Sequence, residues 1–138
     1  MVKLMDHSGS YEELNSIVNF YSQYLPRSTY PWVMMTLAAC CVFFSWFGGK
    51  YLFPTAKLVP RMFYSWLFTA IEYLFLLPGI GGSVEILGMS QNSLAIILHA
   101  IQIGVYMIFN KFTTKFPFTW KHAISFPMMV IAVLIIAL

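Results

Sequence analysis

The chain has 138 residues, 59% of them hydrophobic and only 9% charged, with a net charge of +3 and a mean hydropathy of +0.74. Soluble domains carry about 25% charged residues, so this composition excludes an ordinary soluble domain and points to a lipid bilayer as the chain's first partner. The positive excess forms no basic stripe with interleaved aromatics, and no nucleic-acid partner is expected.

The first thirty residues read as a separate unit. Ser10 and Glu13 have the spacing of a capping box. Tyr11, Leu14, Ile17, Val18, Tyr21 and Leu25 then recur at helical spacing, with Asn15, Ser16, Asn19, Ser22 and Gln23 on the other side. This predicts an amphipathic helix, either lying in the membrane interface or docking on a partner protein. A basic start followed by an apolar core is missing, so no signal peptide is expected.

Four apolar runs follow, each close to the roughly 20 residues that cross a bilayer. The first covers about 31–49, opened by Pro31 and closed by Gly48 and Gly49. Within it Ala38, Cys41, Ser45 and Gly48 make a seam of small residues that lets membrane helices approach closely. Cys40 and Cys41 belong to that packing, since two adjacent cysteines offer neither a disulfide framework nor a metal site. The second run, about 61–78, ends at the turn signal Pro78-Gly79, which makes "PGIGGS" a flexible turn. Asn92-Ser93 opens the third, about 93–110, and the fourth covers about 118–138. Tyr30, Trp32 and Trp120 fall where an interfacial aromatic belt is expected. The runs are too long, and lack the alternation, for a transmembrane barrel. The fold class predicted is an all-α membrane protein, a four-transmembrane-helix bundle over 31–138 preceded by the N-terminal amphipathic segment 1–30.

Charge orients this bundle. Lys50, Lys57 and Arg61 lie between the first two runs, and Lys111, Lys115 and Lys121 between the last two. By the positive-inside rule both termini then face the non-cytoplasmic side, or its equivalent in whichever membrane holds the protein.

Glu72 is the anomaly, an acid flanked by Ala70, Ile71, Tyr73, Leu74 and Phe75. Arg61, Ser65 and Thr69 precede it at helical spacing, so it ends a polar stripe on an apolar cylinder. His99, Gln102, Tyr106 and Asn110 form a second stripe on the third run. Glu72 stands eleven residues after Arg61 and His99 eleven before Asn110, each about 16 Å from the basic side at about 1.5 Å per residue. In a hydrocarbon core about 30 Å thick that is near the midplane, which predicts that the two stripes face each other. An ionised acid at a helix centre costs about 2.5–3.5 kcal/mol. Glu72 is therefore either protonated or paired, with His99 the expected partner. A neutral interhelical hydrogen-bond network is the structural alternative, whereas an intramembrane acid is by default a candidate proton or cation site.

"FFSWFGGKY", "SWLFTAIEYLFLLPG", "SLAIILHAI" and "KFPFTWKHAISF" resemble the four segments of a small bacterial family of the drug/metabolite transporter superfamily, domain of unknown function 486. The resemblance covers about 33–138. It rests most specifically on Ser65-Trp66, Glu72-Tyr73 and Pro78, with Trp46, Gly48, Pro117 and Thr119-Trp120 in support. Where the family has Asn-Arg after the helix-two proline this chain has Gly79 to Gly82, and where it has Gln-Glu in helix three this chain has Leu98-His99. The resemblance implies a transporter-like four-helix fold, and because four helices are too few to enclose a path, a homodimer or membership of a larger membrane complex is expected.

The function this supports is proton-coupled transport of a small solute, with Glu72, His99, Gln102, Ser65, Thr69 and Tyr106 as its transport and proton site. The alternative is a structural accessory subunit of a membrane complex, carrying an inherited fold and a decayed site. A channel is disfavoured for want of a recognisable filter. No Walker loop, dinucleotide fingerprint, nucleophile elbow or zinc pattern occurs, so no enzyme activity, cofactor or metal is expected. The charge pattern also predicts that a cysteine at Ser83 reacts with an impermeant thiol reagent added outside, while one at Thr114 does not. The reverse labelling would refute the orientation.

Overall fold

Every regular element in the computed structural model, which describes residues 8–113, 117 and 119–137, is helical, and no strand occurs among these residues. In chain order they are α1 (Ser8–Ser22), α2 (Arg27–Leu52), α3 (Leu58–Leu87), α4 (Gln91–Thr113) and α5 (Trp120–Ala137). Of these, α2, α3 and α4 are long and apolar enough to cross a membrane, while α5 is apolar but shorter. The expected start of the last helix at Phe118 and its end at Leu138 lie outside the described residues, as does Thr114.

The largest departure from the sequence reading is at Pro78. The helix does not stop there: α3 runs thirty residues with Pro78 inside it. A proline forfeits one backbone hydrogen bond, but in a membrane helix neighbouring helices and hydroxyl side chains absorb the loss. Ser83 Oγ donates to the Gly79 carbonyl at 2.7 Å, one turn past the carbonyl of Leu74 that Pro78 leaves without its N–H partner. The residues of "PGIGGS" are a packing surface and not a turn, since Gly79, Gly82 and Ser83 are buried. The helix ends instead at Gly88, whose left-handed φ of 63° needs no Cβ. The N–H groups of Gly88 and Met89 turn back to the carbonyls of Val84 and Ser83. The expected loop of 79–92 is thereby reduced to Gly88, Met89 and Ser90. Ser83 is fully buried, so outside labelling belongs at Gln91, which is exposed.

At the other end α3 begins at Leu58, earlier than Arg61, because Pro60 falls in the first turn where its missing N–H costs nothing. A similar shift occurs in α2. Pro31 sits in the first turn of its α-helical part, as expected, but Gly48 and Gly49 do not close the helix, which passes through a π turn at Phe44–Gly48 and continues to Leu52. The cap of α4 is Ser90, whose Oγ accepts from the Ser93 N–H at 3.2 Å, three residues before the serine that sequence suggested. Ser10 lies inside α1, which already includes Ser8, and so does not cap it. Tyr30 is no belt residue either: it is fully buried, whereas Trp120 is exposed.

Packing explains these extensions. α2 is the hub, lying against α3 along its length and against α4 on another side, while α3 and α4 scarcely meet and α5 packs on α4. A Cβ at Gly79 would stand 3.1 Å from Met34 Cβ and 3.2 Å from Met35 N, and one at Gly82 only 3.0 Å from the Tyr30 ring. Backbones come this close only where side chains are absent. Met35, fully buried, then fills the junction with Leu94 and Ile97 of α4.

These contacts make Gly79 the least replaceable residue of the former "turn". Gly79→Leu forces the Met35 backbone aside and should destabilise the purified protein by about 1–3 kcal/mol, the usual cost of overpacking. Gly104→Ala, which meets only Phe126 at an ordinary 3.5 Å, should leave the thermal midpoint in detergent nearly unchanged. Equal midpoints for the two variants would contradict the packing.

Candidate functional site

The α2–α3 seam can be followed residue by residue. Gly49 lies against Arg61, Gly48 against Tyr64, Ser45 against Ser65 and Thr69, Met35 against Gly79, and Tyr30 and Pro31 against Gly82. As the number on α2 falls, its partner on α3 rises, which is an antiparallel register. The expected small-residue seam is part of this ladder: Ala38, Ser45 and Gly48 are buried and Cys41 is half-buried.

Ser45, read in sequence as a packing residue, is the polar centre of the seam. Its hydroxyl donates to the Ser65 carbonyl at 2.9 Å and shares a 2.8 Å hydrogen bond with Thr69 Oγ1. In return Ser65 Oγ donates to the Ser45 carbonyl. This reciprocal clasp falls in the π turn, where the wider spiral changes the intrahelical hydrogen-bond pattern. Ser65 and Thr69, both candidates from sequence, are therefore turned toward α2.

Glu72 follows Thr69 by one turn, at the midpoint of α3. It is half-buried, and the register of the ladder sets it between the Ser45–Thr69 and Met35–Gly79 contacts. Among the described residues no hydrogen bond or ion pair joins it to His99. The second stripe has its own surroundings. His99, Gln102 and Tyr106 line a groove of about 340 Å³ with Ala39, Val42, Phe43, Trp46 and Phe47 of α2. His99 is exposed there and Gln102 half-buried. The sequence-derived pairing across helices two and three is thus not formed, because α2 occupies the place between them and takes one polar stripe on each of two sides.

Aromatic rings fill the basic-side half of α2. Phe43 stacks on Phe109 with centroids 4.6 Å apart and on Phe47 at 5.3 Å, and it meets Tyr106 edge-on at 6.1 Å. This layer forms the floor of the groove. Trp46 stands at its rim, 74% exposed, which in a protein of this composition means exposed to lipid or to another helix.

Residues 31–137 of this chain, from the first turn of α2 into α5, match a known protein family. The chain belongs to the DMT_6 family, described as "Putative member of DMT superfamily (DUF486)". The DMT_6 match begins at Pro31, within the first turn of α2, and leaves α1 outside. No match is found among the curated proteins or the solved structures. Family membership and the apolar helices together make this an integral membrane protein.

Proposed function

We propose that the protein is a proton-coupled small-solute transporter of the drug/metabolite type, with Glu72 as its proton site. The observation that carries this reading is the position of Glu72: mid-helix in a long apolar span, half-buried, and without a hydrogen-bond partner among the described residues. An acid so placed can take up and release a proton without first breaking a structural bond, and intramembrane acids are functional candidates by default. Ser65 and Thr69 hold the adjacent backbone to α2. His99, Gln102 and Tyr106 offer polar contacts in the α2–α4 groove, where a small solute would bind. In this reading α5 is the fourth span, both termini lie on the non-cytoplasmic side, and a homodimer closes the groove over His99 and Trp46.

A second reading, a structural accessory subunit of a membrane complex, draws on one specific observation. Glu72 and His99 sit on different sides of α2, so one chain does not assemble the acid and the histidine into one site.

The two readings part on Glu72→Gln, which keeps shape and hydrogen bonding but removes titration. In phosphatidylcholine proteoliposomes with a trapped pH dye, the homodimeric wild type should move protons in response to a transported small solute. Glu72→Gln should fold with an unchanged thermal midpoint and lose that coupling. A Glu72→Gln protein that retains proton-coupled flux would contradict the assignment. Purification only alongside other subunits, with the substitution silent in the assembly, would favour the accessory reading.

A further inference from the structure

The outer flank of α1 carries exposed apolar side chains beside the face that docks on the bundle. Leu14 and Val18 face the bundle: Leu14 stands 3.2 Å from where a Cβ on Gly81 would lie, and Val18 is 1% exposed. Tyr21 joins them, its hydroxyl 2.9 Å from Thr29 Oγ1 and its ring edge-on to Tyr30 at 5.1 Å. Beside this docked face runs a second apolar row, Ile17 and Phe20 on the helix and Tyr24 in the turn that follows it, exposed by 47%, 63% and 73%. The remaining side is polar, with Glu12, Asn15, Ser16, Asn19 and Gln23 all exposed.

The orientation of α1 follows from its contacts. Leu14 touches α3 at Gly81, and Tyr21, two turns later, touches α2 at Tyr30, which itself packs on Gly82. Both ends of α1 therefore sit at one level of the bundle, so the helix lies across the bundle end and does not extend it. That level can be measured along α3. Gly81 is nine residues beyond the helix midpoint at Glu72, about 14 Å at about 1.5 Å per residue. Half of a hydrocarbon core is about 15 Å. With the middle of α3 at the bilayer centre, α1 lies at the boundary between acyl chains and headgroups.

We propose that α1 is an interfacial helix that seats Ile17, Phe20 and Tyr24 in the headgroup boundary of a zwitterionic lipid surface. One flank grips the bundle, the adjacent flank enters lipid, and the polar side faces water. The lipid class follows from charge. Ser8 to Gln23 contain no lysine or arginine and two acids, Glu12 and Glu13. Attachment therefore rests on apolar area and amphipathic rings, not on attraction to anionic headgroups. Tyr24 suits the boundary, with an apolar ring and a polar hydroxyl, and packs edge-on to Phe20 at 5.6 Å. This inference does not depend on transport, so it stands or falls separately from the role of Glu72.

The test uses the full chain with Cys40→Ala and Cys41→Ala, carrying one environment-sensitive fluorophore on Phe20→Cys or Asn19→Cys in phosphatidylcholine vesicles. The Phe20 probe should be quenched by lipids spin-labelled high on the acyl chain and protected from aqueous iodide, with the Asn19 probe showing the reverse. Adding phosphatidylglycerol should change neither. Equal iodide quenching at both positions would overturn the proposal and leave the flank facing solution, open to a soluble partner. Protection of the Phe20 probe from both quenchers would overturn it in favour of a protein cover. If Phe20→Cys fails to fold, Tyr24→Cys supplies the same reading.

Discussion

The close approach of α2 and α3 is the constraint on which the rest of the molecule depends. Gly79 and Gly82 admit the Met35 backbone and the Tyr30 ring at distances a side chain would forbid. Gly48 admits Tyr64 in the same way at the other end. This contact carries α3 through Pro78, fixes the antiparallel register, and builds the platform on which α1 rests. It also makes α2 the central helix, with consequences for every polar residue in the bundle.

Water is absent from a hydrocarbon core, so each polar group there must find a partner in the protein. Ser45, Ser65 and Thr69 satisfy one another across the seam. Interhelical bonds of this kind average only about 0.6 kcal/mol each, so the seam is held chiefly by packing, and the hydroxyls contribute register more than strength. Glu72 follows Thr69 by one turn on α3 and joins none of these hydrogen bonds. On the other side of α2 the groove that holds His99, Gln102 and Tyr106 is mostly aromatic and apolar. Two chemically different surfaces thus share one central helix.

Composition and run length were enough to read the all-helical membrane class, the existence of each apolar helix and the small-residue seam of α2. They failed where tertiary contact overrides local preference. Pro78-Gly79 has every local mark of a turn, yet the helix continues through it where Gly79 packs closely on Met34 and Met35. Gly48 and Gly49 misled in the same way, since glycine at a helix end and glycine at a helix contact look alike in one dimension. The polar stripes were legible, but not their partners. Helical periodicity gives the direction of a stripe within its own helix and says nothing of which neighbour lies there, so depth alone pairs Glu72 with His99. The small residue Ser45 is the available signal for the partner of the stripe, because a seam wide enough only for small side chains has to face something.

The antiparallel register that runs from Ser45–Thr69 to Met35–Gly79 sets Glu72 beside Cys41 of α2 and away from His99 of α4. It is tested most directly by crosslinking within one chain in vesicles. With Cys40→Ala in place, Glu72→Cys should join the native Cys41 on treatment with a short bifunctional thiol reagent. In a Cys40→Ala, Cys41→Ala background, Glu72→Cys and His99→Cys should stay unjoined within the monomer band. Rapid intramolecular joining of positions 72 and 99, with none between 41 and 72, would contradict the register and the account of the site built on it.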